Sequence, residues 1–147
     1  DFKVAEVQLT YKNRIPIKDR QSIHSSTEAY NLVKHHFPDE TIDYRESFKA
    51  LFTNKAGHTL GCLTISEGGP CCTAVDVKLI LQGALLMNAC GVILAHNHPS
   101  GNLHPSAPDK VMTEKIGKAL DTMDIKLLDH LIVTRDGYFS FADEDLI

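Results

Sequence analysis

Two histidines stand directly after a short apolar run in residues 91–101 of this 147-residue chain. The apolar run, residues 91–95, has the length and composition of a strand that is buried on both faces. Because strand side chains alternate between the two faces of a sheet, we expect His96 and His98 to point to one side and Asn97 to the other. Two imidazoles on one side of a strand end are half of a metal site.

A serine and an aspartate follow the histidines at the start of a predicted helix. Pro99 ends the strand, a loop follows, and Ser106 and Asp109 stand where the helical pattern begins. His96, His98 and Asp109 therefore form a plausible set of two nitrogen ligands and one oxygen ligand. Three protein ligands leave the fourth tetrahedral position for water, which is the arrangement of catalytic rather than structural zinc.

Each of these features also has an ordinary explanation. Ser-x-x-Asp at a helix start is a common capping pair, with Ser106 at the N-cap and Asp109 near N3, and both roles can hold together. A lone histidine in an apolar strand is more often structural, but two at positions i and i+2 beside a Pro-Gly loop favour a metal site. The contiguous His-Asn-His does not match an HNH nuclease, and a zinc deaminase needs a Cys-x-x-Cys pair that this sequence lacks.

The spacing resembles the JAMM signature of the MPN+/JAB metalloproteases, and its RadC branch in particular. The matching residues are His96-Asn97-His98-Pro99-Ser100-Gly101, Ser106 and Asp109. The resemblance begins near residue 45 and runs to residue 147, through Leu128-Asp129-His130-Leu131-Ile132 and Tyr138-Phe139-Ser140-Phe141. It implies one α/β (α+β) domain over residues 1–147, a mixed β-sheet flanked by helices in a cytidine-deaminase-like fold. Residues 1–44 carry no feature of the family, and no helix-hairpin-helix region of longer RadC-type proteins is found in them.

This resemblance implies a zinc-dependent hydrolase of amide bonds, a metallopeptidase or isopeptidase that acts on a peptide or protein substrate. His96, His98 and Asp109 would bind one Zn²⁺ per chain. Glu46 matches the family's glutamate general base, which takes and returns a proton, and Ser106 matches a serine that donates to the developing oxyanion. The alternative is a non-catalytic MPN-fold binding module associated with DNA repair or mobile DNA. Such modules usually lose the histidines or the aspartate, and this chain has all three.

Glu46 is one of several acidic residues that precede the histidines. It stands at the start of a β-prone run, where a strand could aim it at the histidines, although a solvent-facing glutamate on an edge strand is the ordinary alternative. Glu40 and Asp43 lie in a polar stretch, Glu67 precedes two glycines in a loop, and Asp76 is better explained as the N-terminal cap of a helix.

Three further features near the motif have no assigned chemistry. His104 lies in the loop before Ser106 and is expected to be exposed, with contact to metal or substrate as the alternative. Asp129 and His130 are expected to have a structural role or to orient metal-bound imidazoles. The Pro-Arg-Glu segment that the family often has before its helix is replaced here by Val75-Asp76-Val77-Lys78.

Composition bounds the class of protein. A formal charge of −4 and a sequence pI near 6.0 do not support general nucleic-acid binding, which favours a basic surface. No apolar run reaches the roughly 18 residues of a membrane span, so a cytoplasmic protein with reduced thiols is expected. A cysteine ligand to the metal is the alternative use of the four cysteines, Cys62, Cys71, Cys72 and Cys90. The oligomeric state and the substrate are left open by the sequence.

Apolar periodicity predicts an alternation of strands and helices. Strands are predicted at residues 2–11, 45–53, 58–66, 91–98, 125–134 and 138–141. Helices are predicted from a capping box at residues 25–28 to about residue 36, at residues 75–89 and at residues 108–124. The second helix is expected to be mostly buried, and residues 67–70 to form a loop that could cover a cleft. The third helix is expected to bury the stripe Val111, Met112, Ile116, Ala119 and Leu120.

Overall fold

A five-stranded mixed sheet forms the centre of the structure, a computed structural model that describes residues 3–68 and 74–147. The order of strands across the sheet is β2-β1-β3-β4-β5. β3 and β4 run parallel, and the other neighbours are antiparallel. The strands are β1 Ser47–Thr53, β2 Thr59–Glu67, β3 Gly91–Asn97, β4 Lys126–Val133 and β5 Tyr138–Ser140.

The three predicted helices all form, and their first turns are capped by side chains. Ser25 accepts a hydrogen bond from the Glu28 amide at the start of α1, and Asp76 accepts from two amides at the start of α2. Both capping roles were predicted from the sequence and are confirmed. The helices are α1 Ser26–Val33, which continues as a 3-10 turn at Lys34–His36, α2 Val77–Leu86 and α3 Ala107–Thr122.

Apolar side chains pack on both faces of the sheet. Phe48 and Phe52 of β1 face α2 and α3, whereas Leu51 of β1 and Ile93 of β3 face α1. All seven residues of β3 are buried, which explains the apolar run that precedes the histidines. The single domain with a mixed sheet flanked by helices is therefore the predicted α/β (α+β) fold.

The predicted N-terminal strand at residues 2–11 is wrong. Residues 3–11 form no strand, and Val4, Val7 and Leu9 are each more than 80% exposed. A strand needs a neighbour for its backbone hydrogen bonds, and this segment pairs with no strand in the described part of the chain. Alternation of apolar residues alone therefore did not determine the local structure.

Two helix predictions overestimated burial. Leu85 and Leu86 of α2 and Val111 of α3 are exposed, because each helix packs on one face of the sheet and turns its other side to water. α3 instead buries two polar residues, Asp109 and Thr113, together with Ile116 and Leu120. Those polar positions contribute to the site described below.

Some predictions concern residues outside the described ranges. The loop predicted at residues 67–70, with its expected role as a cover, lies partly outside them. Cys71 and Cys72 also lie outside the described residues. Within the described ranges, no helix has the length and apolar character that crossing a membrane requires.

Gly91 provides a test of packing at the start of β3. A Cβ at this position would lie 2.6 Å from both Thr53 Oγ1 and Leu128 Cδ1. We therefore expect Gly91→Ala to lower the free energy of unfolding by about 1–3 kcal/mol, measured by urea denaturation. In the control Gly117→Ala, the nearest atom lies at 3.4 Å, and the gain in helix propensity should raise stability by about 0.5–1 kcal/mol. Equal stability of the two variants would contradict this packing account.

Candidate metal centre

His96, His98 and Asp109 meet where β3 ends and α3 begins. The two Nε2 atoms are 3.0 Å apart, while Asp109 Oδ1 lies 3.5 Å from His96 Nε2 and Oδ2 lies 3.3 Å from His98 Nε2. A tetrahedral ion with bonds of 2.0–2.1 Å separates its ligand atoms by about 3.3–3.4 Å. Each separation lies within a few tenths of an ångström of that value, although the two histidines face different oxygens of Asp109, and the group could hold a metal ion.

Strand alternation at the end of β3 divides the side chains as the sequence predicted. Asn97 points away from the histidines, and its Nδ2 donates to the carbonyls of Ile42 and Arg45 at 2.9 and 2.8 Å. Its Oδ1 accepts from the Ser47 amide at 2.8 Å. These bonds hold the backbone immediately before and after Glu46. The residue between the two histidines therefore fixes the segment that carries the predicted general base.

The start of α3 holds the carboxylate of Asp109. Ser106 is the N-cap, and its Oγ accepts from the Asp109 amide at 3.1 Å. The Ser106 amide in turn donates to Asp109 Oδ2 at 2.9 Å, which completes a capping box. The capping interpretation of Ser106 and Asp109 is thus confirmed, and it is compatible with a place in the metal group because Oδ1 and Oδ2 also face the histidines.

The surroundings of Asp109 keep it ionised. Burial opposes ionisation, but hydrogen bonds from His96, His98 and the Ser106 amide outweigh it and hold the pKa of Asp109 well below its usual range. The same hydrogen bond to Asp109 raises the pKa of His98. The group therefore offers one anionic oxygen and two imidazoles to a cation.

Glu46 lies one residue before β1, beside the same centre. Together with His98, Ser106 and Asp109 it lines a cavity of about 730 Å³. Burial raises the pKa of Glu46, the two histidines lower it and Asp109 raises it. A carboxylate whose pKa is raised is a stronger proton acceptor than an exposed one, and Glu46 is not among the residues whose atoms converge as ligands.

The other acidic candidates have different surroundings, and none of them lines this cavity among the described residues. Asp43 forms an ion pair with Arg135 at 2.8 Å, and Asp76 caps α2. Glu67 ends β2 and Glu40 is exposed. His104 is exposed, as predicted, and is one of the residues that line the cavity.

Asp129 and His130 are adjacent in sequence but have separate roles. The Asp129 carboxylate accepts from Ser140 Oγ at 2.6 Å and from the Ala142 amide at 3.0 Å, so it ties β4 to the chain around the end of β5. His130 instead turns its ring toward His96, with 2.7 Å between His130 Nε2 and His96 Nδ1. Burial holds the pKa of His130 well below its usual range.

Thr113 is a neighbour of the site that sequence reasoning missed. Its Oγ1 lies 2.6 Å from His130 Nδ1 and donates to the Asp109 carbonyl at 2.7 Å. The available signal was its position four residues after Asp109, on the same face of a predicted helix. Nothing local indicated that a histidine of β4 would meet it.

The cysteine-ligand alternative gains no support from the two cysteines that the structure describes. Cys62 is partly buried in β2 and Cys90 is exposed, and neither belongs to the group whose atoms converge. Burial raises the pKa of the Cys62 thiol, which disfavours the thiolate that a metal needs.

Replacing Ser106 separates its cap from the rest of the site. We expect Ser106→Ala to lower the free energy of unfolding by about 0.5–2 kcal/mol, because the Asp109 amide loses its acceptor. Metal affinity should change little, since the backbone amide that donates to Asp109 Oδ2 remains. Ser106→Thr keeps a hydroxyl and is the control for stability, measured by thermal unfolding and metal titration. Equal stability of the alanine and threonine variants would argue against a capping contribution.

Known proteins with related sequences identify the domain. The family model described as RadC-like JAB domain matches residues 23–146, and so includes α1, before the point where the motifs begin. A UPF0758 protein of Flavobacterium johnsoniae is 39% identical over 97% of this chain and 62% of its own length. One of Porphyromonas gingivalis is 40% identical over 91% and 60%, and the UPF0758 protein YeeS of Escherichia coli K12 is 40% identical over 70% of both chains.

The chain thus spans about 60% of the first two relatives. The match over most of the sequence and the converging histidines and aspartate lead to one conclusion: this chain belongs to the RadC-like JAB domain family.

Proposed function

We propose that this chain is a zinc-dependent hydrolase of amide bonds, a metallopeptidase or isopeptidase. The observation that carries the proposal is a group of three ligand atoms beside a cavity that also contains a non-ligating carboxyl group, Glu46. Three protein ligands leave a position for water or substrate, which distinguishes catalytic from structural zinc sites. When bound, zinc would polarise a substrate carbonyl and lower the pKa of a water molecule.

The ligand chemistry favours zinc over harder cations. Two imidazole nitrogens and one carboxylate oxygen suit zinc and its first-row neighbours, whereas magnesium and calcium prefer oxygen ligands alone. Asp109 is held ionised and both histidine Nε2 atoms face it, so the three side chains already point at a common centre. Little reorganisation would be needed to accept the ion.

Glu46 is the proposed general base and acid. Hydrolysis requires a group that takes a proton from the attacking water and returns it to the leaving amine. Glu46 is held between two backbone contacts made by Asn97, to the Arg45 carbonyl and the Ser47 amide. Burial raises its pKa, which strengthens it as a proton acceptor relative to an exposed glutamate.

Ser106 is the proposed donor to the oxyanion. Its Oγ accepts the bond from the Asp109 amide, so its own proton is free to be donated into the cavity that it lines. A hydroxyl held by a helix cap has a fixed position, and fixed donors stabilise developing charge without reorganisation.

The proposed substrate is a peptide or protein. The cavity combines polar residues with the apolar side chains of Phe48, Val75 and Met112, which suits an extended polypeptide better than a highly charged polymer. The formal charge of −4 gives no support to a nucleic-acid substrate. A non-catalytic binding module would leave the placement of Glu46 without a purpose.

We expect one zinc ion per chain, measured by elemental analysis of protein reconstituted with zinc and freed of excess metal. Asp109→Asn should weaken zinc binding strongly, because it removes the anionic ligand from the group. His104→Gln, which changes an exposed cavity residue outside the group, is the matched control and should retain full zinc. A folded wild-type protein that takes up no zinc would overturn the proposed cofactor.

We expect Glu46→Gln to keep its zinc and its fold but to lose hydrolysis, by about 10²–10⁴-fold. Turnover is measured with a fluorogenic peptide library and with isopeptide-linked substrates. Glu67→Gln, a glutamate at the end of β2, is the control and should retain activity. Zinc-loaded wild-type protein that cleaves neither class of substrate would favour the binding module instead.

A further inference from the structure

A chain of hydrogen bonds connects the third ligand to the first through two buried side chains. It begins at the backbone carbonyl of Asp109, passes through Thr113 Oγ1 and the two nitrogens of His130, and reaches His96 Nδ1. The three links measure 2.7, 2.6 and 2.7 Å. Thr113, His130 and His96 are 3%, 0% and 1% exposed, so bulk water does not compete for these bonds.

The Asp109 carbonyl determines which atom is the donor in each link of this hydrogen-bond chain. A threonine hydroxyl has one proton, and Thr113 donates it to the Asp109 carbonyl, which is only an acceptor. Thr113 Oγ1 must then accept its second bond, and the donor is His130 Nδ1–H. The carbonyl thereby determines which nitrogen of His130 carries a proton.

His130 transfers that constraint to His96. Neither ring nitrogen of His130 contacts a carboxylate in the described part of the chain, and a fully buried imidazolium without a partner is costly. A neutral His130 with its proton on Nδ1 has a lone pair on Nε2. That atom accepts from His96 Nδ1–H, so Nε2, the atom that faces Asp109, is the nitrogen of His96 that remains to bind a metal. In the metal-free protein His96 Nε2 hydrogen-bonds to Asp109, and the proton of that bond is the one that a metal would displace.

The opposite direction would disable the ligand. If Thr113 donated to His130 Nδ1, His130 would donate to His96 Nδ1 and the His96 proton would sit on Nε2. A protonated Nε2 cannot bind a metal. The two directions contain the same number of protons and differ only in tautomers. The Asp109 carbonyl favours the first direction at one end of the hydrogen-bond chain, and a metal on His96 Nε2 would favour the same direction at the other end, because it replaces the proton there.

We infer that Thr113 and His130 are positioning residues that hold His96 in its Nδ1-protonated tautomer and so present its Nε2 lone pair to the metal. The inference rests on the metal site of the proposed function but not on its reaction. His98 obtains the same tautomer more directly, because its Nδ1 lies 2.6 Å from the Asn102 carbonyl and must donate to it. α3 therefore supplies both the carboxylate ligand and, one helical turn later, the residue that sets the tautomer of a second ligand.

The tautomers can be observed directly in the metal-free 147-residue chain. Long-range ¹H–¹⁵N correlation NMR distinguishes the protonated nitrogen of a neutral imidazole from the nitrogen with the lone pair. We expect His130 to carry its proton on Nδ1 and not on Nε2, and His96 Nδ1 to be protonated, in wild-type protein. Protonation of Nε2 on His130 would overturn the inferred direction of the hydrogen-bond chain.

A pair of variants tests the contribution of Thr113 to zinc binding. Thr113→Val removes the acceptor for His130 Nδ1–H, and we expect zinc affinity to fall by about 10- to 100-fold, as measured by competition with a chromogenic chelator. Thr113→Ser keeps the hydroxyl and should restore affinity to within a few-fold of wild type. Equal zinc affinity of the valine and serine variants would overturn the role of Thr113.

A matched control separates this effect from loss of stability. Thr53 is 1% exposed, and its hydroxyl has no hydrogen-bond partner in the described part of the structure. Thr53→Val is therefore an equivalent buried replacement away from the site, and it should leave zinc affinity unchanged. An equal loss of affinity in both valine variants would show a general effect of core substitution and would overturn the inference.

These measurements also separate the inference from the proposed function. Weakened zinc binding in Thr113→Val with no peptide turnover by wild type would leave the positioning role intact and remove the hydrolase. Normal zinc affinity in Thr113→Val, together with peptide turnover by wild type, would remove the positioning role and leave the hydrolase intact. His130→Gln gives a further check, since a glutamine amide can both accept and donate and should retain more affinity than His130→Leu.

Discussion

The alternation of side chains at the end of β3 is the constraint on which the rest of the site depends. β3 is paired on both edges and covered on both faces, so its side chains cannot rotate away from the sides that the strand assigns them. His96 and His98 are directed to α3, and Asn97 is directed to the segment before β1. One strand end thus places two ligands and, through Asn97, the backbone that carries Glu46. A shift of one residue in register would exchange these roles.

The sequence predicted the parts of the site that depend on local geometry. The i, i+2 histidines and the Ser-x-x-Asp pair are set by the periods of a strand and a helix start, and both occur as expected. The proximity of Glu46 to the histidines depends on the tertiary structure, because separation along the sequence does not determine distance in space. Its assignment to the site comes from the family resemblance. Its position beside the cavity agrees with that suggestion, while its chemistry remains a prediction.

The missed features share a non-local cause. The contact between Thr113 and His130 joins a helix to a strand that packs beneath it, and no sequence spacing specifies which buried polar groups will meet. The strand prediction for residues 3–11 is wrong for a related reason, because a strand forms only where a neighbouring strand pairs with its backbone hydrogen-bonding groups. Periodicity alone predicts Val111 in the core, whereas the packing of α3 buries Asp109 and Thr113 and leaves Val111 exposed.

Helix capping and metal binding are compatible roles for the residues at the start of α3. The capping box uses the Ser106 and Asp109 amides and one carboxylate oxygen, and the same carboxylate still faces both histidines. Because the cap stabilises the helix without any metal, the position of the carboxylate is maintained before a metal arrives. Preorganisation of this kind lowers the cost of assembling the ligand group, since folding has already ordered the side chains.

Burial and neighbouring charges together set the pKa shifts around the cavity. Asp109 and Glu46 are two carboxyl groups beside one cavity, and each affects the charged groups near it. Burial is the main cause of the raised pKa of Glu46; Asp109 adds a smaller rise, and His96 and His98 oppose it. The hydrogen bond to Asp109 raises the pKa of His98, with a smaller contribution from Glu46. The contribution of Asp109 favours the more positive form of both groups, whereas the pKa of Asp109 itself is held down by the hydrogen bonds that it accepts. A divalent cation between the histidines and Asp109 would offset the negative charge of Asp109 and lower the pKa of Glu46, so that the carboxylate form needed to accept a proton would persist at lower pH.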